Sequence, residues 1–537
     1  MAVLTPFRNE TFRLLWLATL VSNLGGLVQS VGAGWMMTTL TSSHNMIALV
    51  QASSTLPIMI FSIAAGALAD NFDRRTVMLI AQSGLMVVSL LLAGLAFFGL
   101  LTPWLLLTFT FLIGCGTALF NPSWQASMGD VVRREDLPGA ITLNAMGFNM
   151  MRSVGPAVGG VIVALAGAAA AFAVNAISYV PLIVALARWK PVRVPSKLPR
   201  ENFGGAMWAG IRYVSLSPNL TTVMLRGFLF GLSATAVLAL LPSVAADFVG
   251  GGALAYGTLL GCFGLGAIGG ATLNGRIRER FSNEFIVRMA CIGFAASSLA
   301  LGVSRDPLLS HFVLIPAGAC WVLCMSLFNV SIQLSSPRWV VGRALSLYQT
   351  ATFGGMALGS WIWGMSADAV GPANALAMAG IAMLACALVG FRLPLPQFNE
   401  RDLDPLNTFN EPVLKLDLRP RSGPIMVMID YQIDQTDIPD FLALMADRRH
   451  IRIRDGARQW SLLRDLEQPE IWTESYHVPT WIDYMRHHQR RTKADEENTE
   501  LIRALHRGAG RPTVRRFIER QTVPVSDDTP LRDVPEV

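Results

Sequence analysis

Polar side chains inside long apolar runs are the residues of this chain that could do chemistry. Arg152 lies about a dozen residues inside a run over 140–166, roughly 18 Å along a helix that rises 1.5 Å per residue. A guanidinium so deep in an apolar segment is costly unless it faces a cavity, and Asn149 lies one helical turn away on the same face. We predict that Arg152 lines a cavity that binds a solute; a structural hydrogen-bonding role is the alternative.

Other polar side chains interrupt apolar runs, and we expect several of them to face the same cavity. Arg226 lies about eight residues inside its run, so its long side chain could instead extend to the membrane interface. No Asp or Glu lies deep within a run, and a residue that would relay a coupling proton is therefore not evident. The predicted cavity residues are Asn23, Gln29, Asn149, Arg152, Arg226, Asn329 and Gln333, and Asn144 and Gln349 are further polar residues within runs.

The cysteines and histidines give no pattern for a metal centre. All six cysteines lie within apolar runs, and only Cys320 and Cys324 are one helical turn apart. A structural zinc site usually has four ligands, and no His or further Cys accompanies this pair. We expect neither a metal nor a cofactor.

The composition indicates the elements that must position these side chains. The chain is 52% apolar and only 15% charged, whereas soluble proteins carry about 25% charged residues. A membrane-spanning helix needs roughly 20 mostly apolar residues, and twelve runs are long enough. The runs are 12–37, 46–69, 76–99, 103–127, 140–166, 169–188, 219–246, 253–274, 284–303, 308–334, 344–368 and 373–392. The first is too long for a cleaved signal peptide, so we predict that it is a membrane span.

Basic residues alternate between the connections of these runs. The loops after the first, third, fifth, seventh and eleventh runs contain no Lys or Arg, and the loop after the ninth contains only Arg305. Loops rich in Lys and Arg stay in the cytoplasm, so we predict an inner-membrane protein with both termini cytoplasmic. The net charge of +6 then reflects topology rather than nucleic-acid binding. The basic residues of the predicted cytoplasmic side are Arg8, Arg13, Arg74, Arg75, Arg133, Arg134, Arg188, Lys190, Arg193, Lys197, Arg200, Arg276, Arg278, Arg280, Arg338 and Arg343.

A middle loop over 189–218 divides the runs into two sets of six. The stretch GGAMWAGIRYVSLSP within it predicts a short helix, either on the membrane surface or packed as a linker. The fifth run contains GPAVGG and the eleventh contains GMALGS, which are patterns of small residues that let helices approach closely. Two halves with such an internal echo are typical of a transporter built from parallel repeats. The predicted helix-packing residues are Gly155, Pro156, Gly159, Gly160, Gly355 and Gly359.

The stretch GALADNFDRR, residues 66–75, lies between the second and third runs. It resembles the signature G-x-L-a-D-R-x-G-R-R that the major facilitator superfamily carries in this same loop, with matches at Gly66, Leu68, Asp70, Arg74 and Arg75. The resemblance implies that Asp70 faces the N-terminal end of the eleventh helix and that Arg74 and Arg75 hold the loop. Asn71 and Asp73 depart from the signature, although Asp73 can cap the third helix. A plain polar turn is the alternative.

The resemblance extends over residues 1–400. NPSWQASMGDVVRREDLPGAITLN and MMRSVGPAVGGVI look like the branch that includes the enterobactin exporter and related secretion-type transporters. This resemblance implies export of a small siderophore-, metabolite- or drug-like molecule by alternating access across the inner membrane, with a proton as the coupling ion. The alternative function is a membrane-tethered enzyme or sensor whose C-terminal region carries catalysis or signalling.

The C-terminal region has the composition of a soluble domain. Its strand and helix patterns follow one another in the order βαββαβ, which predicts a ferredoxin-like α+β fold. It resembles the dimeric barrels of the antibiotic-biosynthesis monooxygenase type. His477, His487 and His488 are tempting catalytic candidates, but adjacent histidines among arginines favour a solvated basic helix face. We expect regulation, self-association or partner binding rather than catalysis.

The predicted architecture is an α-helical membrane protein of the major facilitator fold with twelve transmembrane helices and a small α+β domain. Its expected partners are a small-molecule substrate, the lipid bilayer, a coupling proton and a second copy that binds through the C-terminal domain; we expect no nucleic acid. The predicted division is an N-terminal half over 1–188, the middle loop over 189–218, a C-terminal half over 219–392, a linker over 393–422, the soluble domain over 423–520 and a disordered tail over 521–537.

Overall fold

The computed structural model describes residues 2–133, 136–190, 203–337, 339–395 and 414–519, together with 403, 406 and 412. Within the helices, the side chains of residues 63, 65–71, 126, 138, 149, 153, 203 and 206 lie outside the description. The predictions for 191–202, for half of the linker over 393–422 and for the tail from 520 onward also lie outside it. The chain forms two compact units, a helical unit over Met1–Phe203, Thr221–Ile332 and Leu345–Gln397, and a smaller unit over Gly204–Leu220, Gln333–Ala344 and Phe398–Val537.

Long apolar helices build the helical unit. Several of them start at an N-cap residue whose side chain accepts a backbone hydrogen bond. The backbone N–H of Phe12 donates to the Oδ1 of Asn9, and that of Leu105 donates to the Oγ1 of Thr102. These helices are α1 (Glu10–Leu40), α2 (His44–Asn71), α3 (Arg74–Phe97), α4 (Pro103–Val131), α5 (Leu137–Arg188), α7 (Pro218–Val244), α8 (Gly252–Arg280), α9 (Asn283–Val303), α10 (Pro307–Leu334), α11 (Val341–Val370) and α12 (Pro372–Val389). The shorter helix α6 (Phe203–Ser215) lies between α5 and α7 in the chain and belongs to the smaller unit.

Ten helices of the described chain are long and apolar enough to cross a membrane. One of them, α5, has 52 residues and is interrupted at Gly167, whose φ of 80° and ψ of 170° are not helical. At 1.5 Å per residue α5 would extend about 78 Å, more than twice the hydrocarbon thickness, so it comprises two spans. Helix α11 is not among the ten, but its 30 residues suffice for a further span. Each of the twelve predicted runs therefore has its own helical segment, and the predicted helical membrane fold is confirmed.

An antiparallel sheet forms the centre of the smaller unit. Its strands lie in the order β2-β3-β1-β4, and β1 buries alternate residues against the helices, as a half-covered strand requires. The predicted strands are confirmed, whereas the last predicted helix is divided in two by residues 490–492. The elements are β1 (Ile425–Gln432), α13 (Ile438–Asp455), β2 (Arg458–Arg464), β3 (Ile471–Val478), α14 (Trp481–Gln489), α15 (Lys493–Leu505) and β4 (Thr513–Ile518).

The middle-loop helix α6 belongs to this same unit. Tyr213 of α6 is 2% exposed, and its ring lies 5.4 Å from that of Trp339 in the segment before α11. The guanidinium of Arg454, at the end of α13, lies 5.0 Å from the Tyr213 ring centroid. The Nε2 of His450 lies 2.7 Å from the carbonyl oxygen of Leu216. Of the two alternatives for α6, the structure therefore has the packed linker helix, and the sequence did not predict that it packs with the C-terminal domain.

Candidate functional site

A central cavity of about 890 Å³ lies within the helical unit. Helices α1 to α5 line it from the first half, and α7, α8, α10 and α11 line it from the second. Cavities of roughly 300–1,000 Å³ hold drug-sized molecules. Its wall is largely apolar, with amides and hydroxyls between the apolar side chains, so it can orient a small organic molecule by a few polar contacts.

Arg152 is the only residue with a formal charge among the described residues that line the cavity. Its guanidinium carbon lies 5.8 Å from the ring centroid of Trp321 and 6.0 Å from that of Phe263. These distances fall at the limit of cation–π contact. Within the described part of the chain no carboxylate forms a salt bridge with Arg152. The guanidinium therefore keeps donors that an acidic group could occupy.

Gln29 also lines the cavity, and it is held by a buried polar network in the first half. Its Oε1 accepts hydrogen bonds from the Oγ of Ser89, at 3.0 Å, and from the Nδ2 of Asn175. The same Nδ2 lies 3.0 Å from the hydroxyl of Tyr179, which is another cavity residue. Since Gln29 is 4% exposed, the network fixes its amide rather than leaving it free to follow a substrate.

The remaining predicted cavity residues divide into three groups. Asn23 and Asn329 line the cavity, and so does Gln349. Gln333 is not among the described residues of the wall. The side chain of Asn149 lies outside the described residues.

In the structure, Arg226 lies in a different place from the cavity wall that the sequence predicts for it. It does not line the cavity among the described residues, because its guanidinium forms an ion pair with Glu284 on α9. The Glu284 carboxylate also accepts the backbone N–H of Leu395 at 3.0 Å, so the pair holds the start of the segment after α12. The ion pair with Glu284 compensates the burial of the Arg226 guanidinium, whereas the sequence predicted that Arg226 lines the cavity or extends to the membrane interface.

Several cavity residues were missed by reasoning from polar interruptions. Aromatic side chains of the wall look like ordinary apolar residues in sequence, and Gln82 lies near a helix end. Gln82 is only 2% exposed, and its buried Oε1 has no hydrogen-bond partner among the described residues. A helical-wheel comparison of the nine lining helices could have found part of this set. The missed residues are Gln51, Gln82, Asn121, Tyr179, Tyr256, Phe263, Trp321 and Tyr348.

The predicted glycines lie at close helix contacts around the cavity. A Cβ on Gly160 of α5 would lie 2.8 Å from the Cα of Gly257 of α8, and one on Gly355 of α11 would lie 2.2 Å from the carbonyl oxygen of Phe228 of α7. Such distances exclude any larger side chain unless the backbone moves. On the same measure, Gly155 and Gly159 face α1 and Gly359 faces α7, while Pro156 lines the cavity.

The described part of the signature loop holds α3 within the first half. Arg74 donates to the Oδ2 of Asp130 at 2.8 Å, and Arg75 donates to the carbonyl oxygens of Leu186 and Ala187 at the end of α5. Asp73 occupies the N-cap position of α3, but its carboxylate accepts from the Thr76 hydroxyl rather than capping a backbone N–H. The side chains of Gly66, Leu68, Asp70 and Asn71 lie outside the described residues, as do Arg134 and Arg338.

His487 of the C-terminal domain does not lie on a solvated helix face. His487 is 1% exposed, and its Nε2 lies 3.1 Å from a guanidinium nitrogen of Arg452. Burial, followed by the charge of Arg452, lowers the pKa of His487 well below its ordinary value. Helix α14 turns this side chain against Tyr476 of the sheet, with ring centroids 5.5 Å apart. The expected solvated face was therefore wrong at His487; His477, on β3, lies 3.6 Å from Glu519.

Glu474 neutralises the cationic centre of this domain. Its carboxylate accepts from the Nε of Arg452 at 2.9 Å and lies 3.7 Å from the Nε of Arg448. Burial alone would raise the pKa of Glu474, but the charges of Arg452 and Arg448 and the hydrogen bonds from Arg452 and Trp460 lower it to about 2. The carboxylate is therefore ionised at any physiological pH and acts as a structural counter-ion.

Comparisons with known proteins agree with this architecture. A family model described as transmembrane secretion effector matches residues 1–522. The enterobactin exporter EntS of Citrobacter koseri is 24% identical over 401 residues, which cover 71% of this chain and 91% of the exporter. The staphyloferrin A transporter of Staphylococcus aureus is 27% identical over 240 residues, which cover 40% of this chain and 60% of that transporter. Among solved structures, the nucleoside transporter NupG has a TM-score of 0.58 at 11% identity and covers 73% of this chain and 100% of its own; this likeness shows the fold alone.

Proposed function

Because the chain belongs to the transmembrane secretion effector family of major facilitator transporters, we propose that it exports a small acidic organic molecule across the inner membrane. The single observation that carries the substrate class is Arg152, the only charged side chain among the described residues of the cavity wall, which lies beside the rings of Trp321 and Phe263. A guanidinium binds a carboxylate or a catecholate by two parallel hydrogen bonds. Aromatic rings beside it add surface for an aromatic substrate.

Relatives of this chain support an exporter of siderophore-like compounds. Two of them are named as an enterobactin exporter and a staphyloferrin A transporter. Export by alternating access requires a cavity between two halves, and the cavity here is lined by five helices of the first half and four of the second. The alternation of loops rich in Arg and Lys supports an orientation with both termini in the cytoplasm. With this orientation, the substrate enters from the cytoplasm and leaves on the opposite side.

Transport by purified protein in vesicles tests this proposal. The assay would compare uptake of a labelled aromatic carboxylate with uptake of its methyl ester, which has the same shape but no charge, into inverted vesicles under an imposed proton gradient. We expect saturable uptake of the acid that exceeds uptake of the ester. Equal uptake of acid and ester by the protein would remove the basis for an acidic substrate, and the lack of any uptake across a panel of acids would contradict export of this class.

For the C-terminal domain we propose a structural and self-association role rather than catalysis. The buried His487 is already bonded to Arg452, so it offers no free imidazole to a substrate. One face of the sheet packs against the helices. On the opposite face, Met426 of β1 pairs with His477 of β3 and with Phe517 of β4, and Phe517 is 43% exposed. A second copy of this face would cover these side chains. Phe517→Arg should then convert a detergent-purified dimer into a monomer in light scattering, whereas no change in mass would contradict this part of the proposal.

A further inference from the structure

A cluster of polar side chains lies at the end of the helical unit where α1 connects to α2, and none of its members is among the described residues that line the central cavity. We name it the outer-end cluster; it contains Ser43, His44, Ser243, Asp247 and Asp368. Its members come from the start of α2 in the first half and from the ends of α7 and α11 in the second half. The cluster therefore joins the two halves that must separate when the cavity opens on this side.

Asp368 holds the first turn of α2. Its carboxylate accepts hydrogen bonds from the Oγ of Ser43 at 2.8 Å and from the backbone N–H groups of His44 at 2.6 Å and Asn45 at 3.3 Å. A carboxylate at a helix N-terminus also interacts favourably with the helix dipole. Gly364, one turn earlier on α11, permits this approach, because a Cβ there would lie 2.9 Å from the Cβ of Ala48. Asp368 thus fastens α11 to α2.

The His44 imidazole adds a second connection, whose strength depends on protonation. Its Nδ1 lies 3.1 Å from the Oγ of Ser243, and its Nε2 lies 3.9 Å from the Oδ2 of Asp247. The side chains of His44 and Asp247 are 23% and 43% exposed, so water reaches both. Histidine is the side chain whose charge ordinarily changes between pH 5 and 8. An imidazolium here forms an ion pair with Asp247, whereas the neutral ring makes no ionic contact with it.

The other described charges near this end do not compete for the imidazole. On α11, Asp368 binds the backbone and hydroxyl donors given above rather than the His44 ring. Between α9 and α10, the guanidinium of Arg305 lies 3.9 Å from the ring centroid of Phe248, next to Asp247 in sequence. The titratable group that faces the His44 ring is therefore the carboxylate of Asp247.

We propose that His44 is a proton-binding site of the transport cycle, at which a proton from outside closes the outer end of the cavity. The proton passes from external water to the imidazole, where the only bond formed is N–H. It returns to water when the ring separates from Asp247. The sign follows from the pairing: closure gains strength as the external pH falls and loses it as the pH rises. In an exporter this returns the emptied protein to the state that loads from the cytoplasm. The inference rests on the proposed orientation of the chain.

Cysteine labelling from outside tests the site without any substrate, so its failure is separate from failure of the export proposal. In a variant with the six native cysteines replaced by serine, Gln51→Cys reports on the cavity wall and Ser42→Cys on the exposed connection before α2. An impermeant maleimide is added to intact cells at external pH 5.5 and 8. We compare the pH values by the ratio of the labelling rate at Gln51→Cys to that at Ser42→Cys, which removes the effect of pH on the thiol. We expect this ratio to fall about 2- to 5-fold at the lower pH, as an exposed ion pair allows.

Variants of the cluster identify the titrating group. His44→Gln and Asp247→Asn should each abolish the pH dependence, and His44→Arg, with its permanent charge, should keep the ratio low at both pH values. Asp368→Asn should raise labelling at both pH values while the pH dependence remains. A pH response that survives in His44→Gln, or one that disappears in Asp368→Asn, would overturn the proposal. So would lack of external labelling at Ser42→Cys, because His44 would then face the cytoplasm.

Discussion

Replacement of Arg152 by alanine is the most direct perturbation of the cavity. The guanidinium lies beside Trp321 and Phe263 and has no carboxylate partner among the described residues. Two charge-assisted hydrogen bonds to a substrate contribute about 1.5–3 kcal/mol each, and water that refills the cavity offsets part of this. We therefore expect Arg152→Ala to lose about 2–4 kcal/mol of the binding free energy of an acidic substrate. At 1.36 kcal/mol per tenfold change, this weakens binding of an acid by roughly 30- to 1,000-fold.

Protein stability should move in the opposite direction from binding. An arginine near the middle of a membrane helix costs about 2.5–3.5 kcal/mol on insertion scales, so Arg152→Ala should accumulate in the membrane at least as well as the parent protein. Arg152→Lys keeps the charge but loses the planar fork, and we expect it to restore only part of the binding. Arg280→Ala is the matched control, because it removes an exposed arginine at the end of α8 outside the cavity wall.

Uptake of an aromatic acid and of its methyl ester into inverted vesicles gives the required readout. Arg152→Ala should lower uptake of the acid and leave that of the ester nearly unchanged, so the acid-to-ester ratio should approach one. Normal transport of the acid by a well-accumulated Arg152→Ala protein would refute the cationic cavity. If Arg152→Ala fails to accumulate whereas Arg280→Ala accumulates normally, Arg152 holds helices together, and the structural alternative is correct.

Three further predictions concern topology, helix packing and the C-terminal domain. An impermeant reagent added to intact cells should label Ser42→Cys but not Ser196→Cys, and the reverse pattern would invert the proposed orientation. Gly160→Val should abolish transport, because α5 can no longer approach α8; normal uptake would show that this contact is dispensable. Glu474→Gln should destabilise the C-terminal domain by about 3–5 kcal/mol in urea-dependent proteolysis of the full chain, with the exposed Glu500→Gln unchanged. Since the pKa of Glu474 is lowered to about 2, its contribution is complete at neutral pH and should be lost as the pH falls toward that value; a domain equally stable at pH 7 and pH 2 would contradict this.

The sequence by itself determined the membrane helices and the family. Apolar runs longer than roughly 20 residues can satisfy their backbone in lipid only as helices, so each run predicted its helical segment locally. The resemblance to secretion-type transporters, made on the loop signature and the GPAVGG pattern, is confirmed by the family match over residues 1–522. Arg152 was also visible, because a charge so far inside an apolar run is conspicuous without any knowledge of its neighbours.

Only the tertiary structure decided which polar side chains meet. Arg226 and Arg152 look alike as interruptions of apolar runs, yet Arg226 is paired with Glu284 and Arg152 lines the cavity. The same holds for His487, whose place on a basic helix suggested exposure until the sheet was seen to cover it. Hydrophobicity along the chain fixes where a helix begins and ends. Its rotation and its neighbours are set by contacts between residues far apart in sequence, and these contacts determine which face of each helix meets the cavity, another charge or the lipid.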